Sequence, residues 1–222
     1  MKDIKNIQVF EKISASSEES ILKLGSISYL NKKEVLFYEK NKVENVYFLL
    51  SGKVSIYKMN EFGERKVIFI LNKGDMINEI LIANDTTVVS CEAFEKSKIL
   101  KINKKDFLNI MEKDFSLVKN ILDVSEKRNR RLYRQLKNST YMKIEKRLAA
   151  KLYRINREFG TKDGDWWLLD LKITLTYLAD MLGCKRETLS RAMKLLQSKD
   201  LVKIDGKKIY IKPEKVSEFF KN

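Results

Sequence analysis

The chain has 222 residues, 44% hydrophobic and 34% charged, with 45 Lys plus Arg against 30 Asp plus Glu, for a formal net charge of +15. This is too apolar for a disordered polypeptide, and no run approaches the ~18 uncharged apolar residues of a membrane-spanning helix. The sequence contains no histidine, which removes Ser-His-Asp and Cys-His nucleophiles, His-ligated zinc and His-ligated haem. Cys91 and Cys184 alone cannot supply the four thiolates of a zinc site or a common iron–sulfur cluster.

No haem, cluster or other metal cofactor is therefore expected, and the chain is not expected to be an enzyme. The first ten residues mix Lys and Asp with isolated Ile and Val and lack the apolar stretch of a secretory signal. The expectation is a cytoplasmic protein with free thiols and no membrane partner. Charge is unevenly spread: residues 1–110 hold 18 basic and 15 acidic side chains, whereas residues 111–222 hold 27 and 15. A nearly neutral half joined to a basic half suggests one module for a polyanion and another for a different task.

In chain order, residues 16–24 predict a short helix, with Ser16 and Glu19 at capping-box spacing. Short strands follow at 35–38, 46–50, 54–57, 67–71, 86–94 and 98–102. They are separated by turn signals at Ser51-Gly52, Glu61-Phe62-Gly63-Glu64 and Lys73-Gly74-Asp75, a spacing that implies a β-sandwich or barrel. Within 87–93, Thr87, Val89, Cys91 and Ala93 share one face, so Cys91 reads as a buried core residue.

Residues 112–136 contain neither Gly nor Pro. Val118, Leu122, Ser125, Asn129, Leu132 and Leu136 recur four and three apart, the pattern of a coiled-coil seam. The polar Ser125 and Asn129 either fix the register of a parallel homodimer or face a ligand. A helix packed on its own domain is the alternative.

Beyond it, 142–159 is helical, with Ile144, Leu148, Leu152 and Ile155 on one face, and 166–171 reads as a strand. Two amphipathic segments then meet at Gly183 as a helix-turn-helix, and a hairpin turns at Asp205-Gly206. In the second segment Leu189, Ala192, Met193 and Leu196 face inward, so Arg186, Glu187, Ser190, Arg191 and Lys194 face outward. Arg pairs with guanine O6 and N7 and Glu accepts from cytosine N4, which suits this helix to the major groove. Lys207 and Lys208 on the hairpin can reach phosphates.

The segment 183–191, Gly-Cys-Lys-Arg-Glu-Thr-Leu-Ser-Arg, resembles the recognition-helix signature of the cyclic-AMP receptor protein and FNR superfamily of bacterial transcription regulators. Residues 46–54, ending Leu-Leu-Ser-Gly-Lys-Val, resemble its β-roll signature. Gly74-Asp75 and Glu79 fall at its phosphate cassette. The likeness runs from about residue 10 to 220 and implies an α+β chain with a β-roll sensor domain at 1–110, a dimerisation helix at 111–138 and a winged helix-turn-helix at 139–222. It also implies base reading by Arg186, Glu187 and Arg191, with Ser190 matching a serine of the FNR-like branch, and backbone contacts from Lys185, Lys194, Lys207 and Lys208. The implied partners are double-stranded DNA carrying an inverted repeat, a second copy of the chain, and RNA polymerase. Lys185 departs from the capping Ser or Thr of many relatives, so it either weakens the helix start or contacts phosphate.

The sensor departs further. Asn78 stands where the cassette has glycine, and Thr87-Val88 stands in place of the Arg-Ser pair that holds the cyclic phosphate. A phosphate against Thr87 would lack a cationic partner, which disfavours cyclic AMP. The expected pocket comprises Glu79, Thr86, Thr87, Ser125, Arg128 and Asn129. By resemblance to branches that bind organic acids or phenols, it would hold a small effector of that kind. An effector-independent regulator and a ligand-binding module without a DNA target remain open alternatives.

Overall fold

The computed structural model describes residues 2–78 and 85–221, without the side chains of 2–3 and 139–141. The chain divides into two compact units, Met1–Gly63 with Val67–Arg131, and Glu64–Lys66 with Leu132–Asn222.

The first unit is organised by two strands buried on both faces. After two short 3₁₀ turns come α1 (Ala15–Leu24), β1 (Ser26–Leu30), β2 (Val35–Phe37), β3 (Asn45–Ser51), β4 (Val54–Met59), β5 (Arg65–Leu71), β6 (Ser90–Ala93) and β7 (Ser97–Asn103). The strands form two sheets, β1-β7-β3 and β2-β6-β4-β5, so the roll is two layers and not a closed barrel. Leu49 of β3 and Ile99 of β7 join Leu30, Phe37, Ile56, Phe69, Cys91 and Ala93 in a core contributed by both sheets. Val46, Phe48, Leu50, Leu100 and Ile102 alternate to the opposite face and pack beneath Phe10, Ile21, Phe107 and Leu117. This two-sided burial explains why 46–50 reads as a nearly continuous apolar run. Cys91 is fully buried, as its strand periodicity implies.

Local differences from the sequence pattern have physical causes. α1 begins at Ala15 because Ser14, not Ser16, is the cap: its Oγ accepts from the Ser17 N–H at 3.2 Å. Of the strand expected at 86–94, only Ser90–Ala93 is regular. Thr86 makes an isolated bridge to Lys42, and the Thr87 hydroxyl donates to the Tyr38 carbonyl at 2.7 Å. β1 carries no burial signature, since Ile27 and Tyr29 stay exposed on an edge strand.

The long helix expected at 112–136 is α3 (Phe115–Tyr141), and its first two expected residues instead close a separate helix, α2 (Lys104–Lys113). Asp114 makes the break. Its Oδ1 accepts from the Leu117 N–H at 3.2 Å and its Oδ2 from the Ser14 N–H at 2.8 Å, tying the starts of α3 and α1 together. Burial opposes charge on this carboxyl, but hydrogen bonds from Ser14, Ser17 and Leu117 win and hold its pKa at about 2. A depressed carboxyl stabilises the fold above its ordinary pKa, and that contribution fades as pH falls from about 4 toward 2. Asp114→Ala should therefore lose about 1–2 kcal/mol near neutrality and show a flatter stability loss across that acid range in urea titrations. An acid limb parallel to the parent's would contradict this.

α3 carries two stripes. Leu117, Ile121 and Val124 pack on the roll; Arg128 donates to the Met76 carbonyl, and the Arg131 guanidinium lies 5.0 Å from the Phe69 ring centroid. The other stripe runs through Val118, Leu122, Ser125, Asn129, Leu132 and Leu136 and is largely uncovered, with Leu122 62%, Leu132 40% and Leu136 67% exposed. The helix thus packs on its own unit through one face and leaves the stripe expected as a seam exposed on another.

The second unit contains α4 (Ile144–Phe159), β8 (Gly160–Asp163), β9 (Trp166–Leu169), α5 (Leu175–Leu182), α6 (Arg186–Ser198), β10 (Val202–Asp205), β11 (Lys208–Ile211) and α7 (Pro213–Lys221). Its sheet order is β10-β11-β9-β8. β8 (Gly-Thr-Lys-Asp) buries nothing and so leaves no periodic signal, whereas nine-residue α7 places Val216, Phe219 and Phe220 at helical spacing over too few turns to stand out in the sequence.

Candidate DNA interface

The helix-turn-helix is built from the inside out. Leu189, Ala192, Met193 and Leu196 of α6 are each at most 4% exposed and pack on α4 and α5, whose Leu148, Leu152, Leu178 and Leu182 are also buried. Gly183 closes α5 at φ 63°, ψ 56°, a left-handed cap that a side chain would strain. The Arg147 guanidinium of α4 donates to the Leu182 carbonyl at 2.5 Å, satisfying one orphan acceptor at that helix end.

With 3.6 residues per turn, positions 186, 187, 190, 191 and 194 span an arc of about 140° opposite the buried stripe. Arg186, Glu187, Arg191 and Lys194 are exposed and Ser190 is partly so. Among the described residues, Arg186, Glu187 and Arg191 have no ion-pair or hydrogen-bond partner. Two guanidiniums and a carboxylate are thus presented to solvent from one rigid helix face. Lys185 is the N-cap and its side chain accepts nothing. The first-turn amides of α6 consequently lack a side-chain cap, leaving a positive helix end beside two arginines.

The wing completes the surface. β10 and β11 pair in register from Val202↔Ile211 to Asp205↔Lys208, leaving Gly206 and Lys207 as a two-residue tip, with Gly206 at φ 57°. Lys207 and Lys208 are exposed. Asp200 anchors the wing's base: Lys212 and Lys215 lie 2.6 and 3.3 Å from its carboxylate, and their hydrogen bonds lower its pKa.

The residues expected to line an effector pocket are not gathered in this way. Glu79 lies outside the described residues. Thr86 is exposed, Thr87 is buried with its hydroxyl bonded to Tyr38, and Arg128 is bonded to Met76. Ser125 and Asn129 are exposed on the other stripe of α3. Asn78 has a role that its sequence position did not reveal: its Oδ1 accepts from the Tyr47 N–H at 2.8 Å and its Nδ2 donates to the Asn45 carbonyl at 2.9 Å. The buried carboxamide stitches the loop after β5 to the start of β3. Asp75, on the same loop, is pushed up in pKa by burial, against the pull of its bond from the Asn72 N–H and of Arg128 and Arg131. Among the described residues, no helix is long and apolar enough to cross a membrane.

Comparison with known proteins covers both units. Residues 27–114 match the cyclic nucleotide-binding domain family and residues 146–215 the Crp-like helix-turn-helix domain family. The chain is 25% identical over 184 residues to the cAMP-activated global transcriptional regulator CRP of Pasteurella multocida, covering 81% of this chain and 86% of that protein. Its fold matches a CooA mutant from Carboxydothermus hydrogenoformans with a TM-score of 0.78 and 21% identity, over 90% of this chain and 89% of the other. It likewise matches the c-di-GMP responsive global regulator CLP of Xanthomonas campestris, with a TM-score of 0.77 and 20% identity, over 89% and 99%. With a sensor-type roll and an outward-reading helix-turn-helix matched in that order, the chain belongs to the cyclic-AMP receptor protein/FNR family of DNA-binding transcription regulators.

Proposed function

We propose that the chain acts as a homodimer that reads an inverted repeat through α6, under the control of a small effector other than cyclic AMP. The observation that carries the reading is the outer face of α6, where Arg186, Glu187 and Arg191 are exposed and unpaired among the described residues. Such a face costs desolvation in any protein contact that fails to match it, whereas base edges in a major groove supply acceptors for both arginines and a donor for the glutamate. Ser190 is the fourth base-edge residue in this reading, and Lys185, Lys194, Lys207 and Lys208 hold the backbone. RNA polymerase is the further partner that a regulator of transcription requires.

Dimerisation rests on the uncovered seam of α3. A two-fold axis along it would carry two copies of α6 to successive turns of one DNA face, about 34 Å apart. The effector would act by binding one arrangement of the dimer more tightly than the other. The relatives' names include a cAMP-activated and a c-di-GMP responsive regulator, so the family accommodates more than one signal. Here Thr87 supplies no cation for a cyclic phosphate, and Asn78 fills the cassette position where relatives have glycine. The pocket residues proposed for another effector are Glu79, Thr86, Thr87, Ser125, Arg128 and Asn129. A second reading, regulation without any effector, is favoured by the internal hydrogen bonds of Thr87 and Arg128.

Selection from a random DNA pool tests the core of the proposal. Full-length protein should enrich an inverted repeat with half-site centres about 10 bp apart. Enrichment of unpaired half-sites, or of no sequence, would overturn it. Repeating the selection with protein refolded from denaturant separates the two readings of control. Equal affinity before and after stripping favours the effector-free form, and loss restored by a cell metabolite extract favours the effector.

A further inference from the structure

We propose that a cleft in the second unit, lined by none of the residues of the α6 reading face, binds a small organic anion that carries an N–H donor beside its acidic group. The cleft has a volume of about 790 Å³ and lies between the last turn of α4, the β8–β9 hairpin and the first turn of α7. That size falls within the range of small-molecule sites. None of its residues is assigned above to DNA or to the effector.

Three features define its chemistry. The first is an unmatched acceptor. Asn156 lines the cleft, is 5% exposed, and its Oδ1 has no hydrogen-bond partner. A buried amide oxygen without a donor is costly to the folded chain and is satisfied by a ligand N–H. The second is a glycine that makes room for it. A Cβ on Gly160 would stand 2.2 Å from that same oxygen, so the carboxamide occupies space that any side chain at 160 would take.

The third is unspent positive charge. Arg157 and Lys162 line the cleft, are exposed, and have no ion-pair partner among the described residues. Lys212 and Lys215 also line it but are drawn to Asp200, and the Lys212 ammonium rests 4.4 Å from the Trp166 ring centroid. Asp165 and Glu214 are the carboxylates in the lining. The cations call for an acidic group, and Asn156 calls for a donor. Half-buried Trp167 supplies a flat apolar wall.

Two kinds of molecule combine these features: an acidic amino acid, whose ammonium meets the Asn156 oxygen, and a nucleoside monophosphate, whose ring amine does so. Titrations of the full-length protein with L-glutamate, L-aspartate and adenosine monophosphate distinguish them. The chain's two tryptophans, Trp166 and Trp167, both stand in β9. Tryptophan fluorescence therefore reports on this cleft, and calorimetry supplies the stoichiometry.

One arm should saturate, and Arg157→Glu and Asn156→Ala should each weaken it about tenfold or more while leaving affinity for DNA unchanged. Ligand-free Asn156→Ala should melt no lower than the parent, because it removes an unmatched acceptor. Saturation by the amino acids alone identifies the first kind of ligand, and by the nucleotide alone the second. If no probe saturates at millimolar concentration, or if the response survives Arg157→Glu, the proposal fails. Neither outcome bears on the DNA-reading role of α6.

Discussion

Arg191→Ala is expected to raise the Kd for the selected DNA site by roughly 5- to 150-fold, or about 1–3 kcal/mol, and to relax the base preference at one position of each half-site. The helix itself should survive. Arg191 is exposed and unpaired among the described residues, α6 is held from its other side by Leu189, Ala192, Met193 and Leu196, and Ala is the strongest helix former. What disappears is a fork of N–H donors that meets guanine O6 and N7 in a fixed geometry. The guanine acceptors are then left facing a gap that water fills imperfectly.

Lys208→Ala makes the contrast. Lys208 is exposed beside the tip of the wing, where a point charge suits a phosphate, and phosphates carry no sequence. Its loss should weaken cognate and random DNA alike and reduce the salt dependence of binding by about one counterion. Quantitative binding at several salt concentrations, on cognate and scrambled duplexes, distinguishes the two. Equal losses on both duplexes for Arg191→Ala would show that this side chain does not read bases.

How much of this was legible beforehand depended on whether burial leaves a trace in the sequence. The helix-turn-helix was, because its inner stripe at 189, 192, 193 and 196 repeats with helical period and Gly183 marks the left-handed cap. The wing was too, from Asp205-Gly206. β1 was not, since an edge strand that exposes Ile27 and Tyr29 has no apolar alternation. Nor was the break between α2 and α3, which depends on one carboxylate bonding the distant Ser14 N–H, a contact that no local pattern encodes.

The roll was the least legible part. Asn78 looked like a defect in a glycine position, yet in the fold its carboxamide takes the place of a backbone pairing with β3. Arg128 stands among seam residues in the sequence, but one step around the helix from Asn129 it faces the roll. The same geometry explains why α3 fitted two sequence readings. A helix with apolar stripes on two faces satisfies both a packing pattern and a coiled-coil pattern, and only burial tells them apart.

That separation of stripes makes the dimer proposal testable with a single charge. Leu132→Glu alters the uncovered stripe, where Leu132 is 40% exposed, and leaves the roll-facing stripe of Leu117, Ile121, Val124 and Arg128 untouched. The subunit should therefore keep its helical content and unfolding cooperativity. In a parallel two-stranded coil, however, equivalent seam residues face each other, so two carboxylates would meet across the axis in an apolar contact. The expected result is a sedimentation mass equal to one chain of 26.1 kDa at concentrations where the parent is twice that. DNA affinity should fall with it. Without the seam, the two reading heads bind their half-sites as separate molecules, and the effective concentration that links them vanishes, a loss on the order of 100-fold or more on an inverted repeat. Affinity for a single half-site should barely change, because Arg186, Glu187 and Arg191 are unaltered. A variant that still sediments as a dimer would place the interface elsewhere. One that becomes monomeric yet binds the full repeat as tightly as the parent would show that reading the DNA does not depend on pairing.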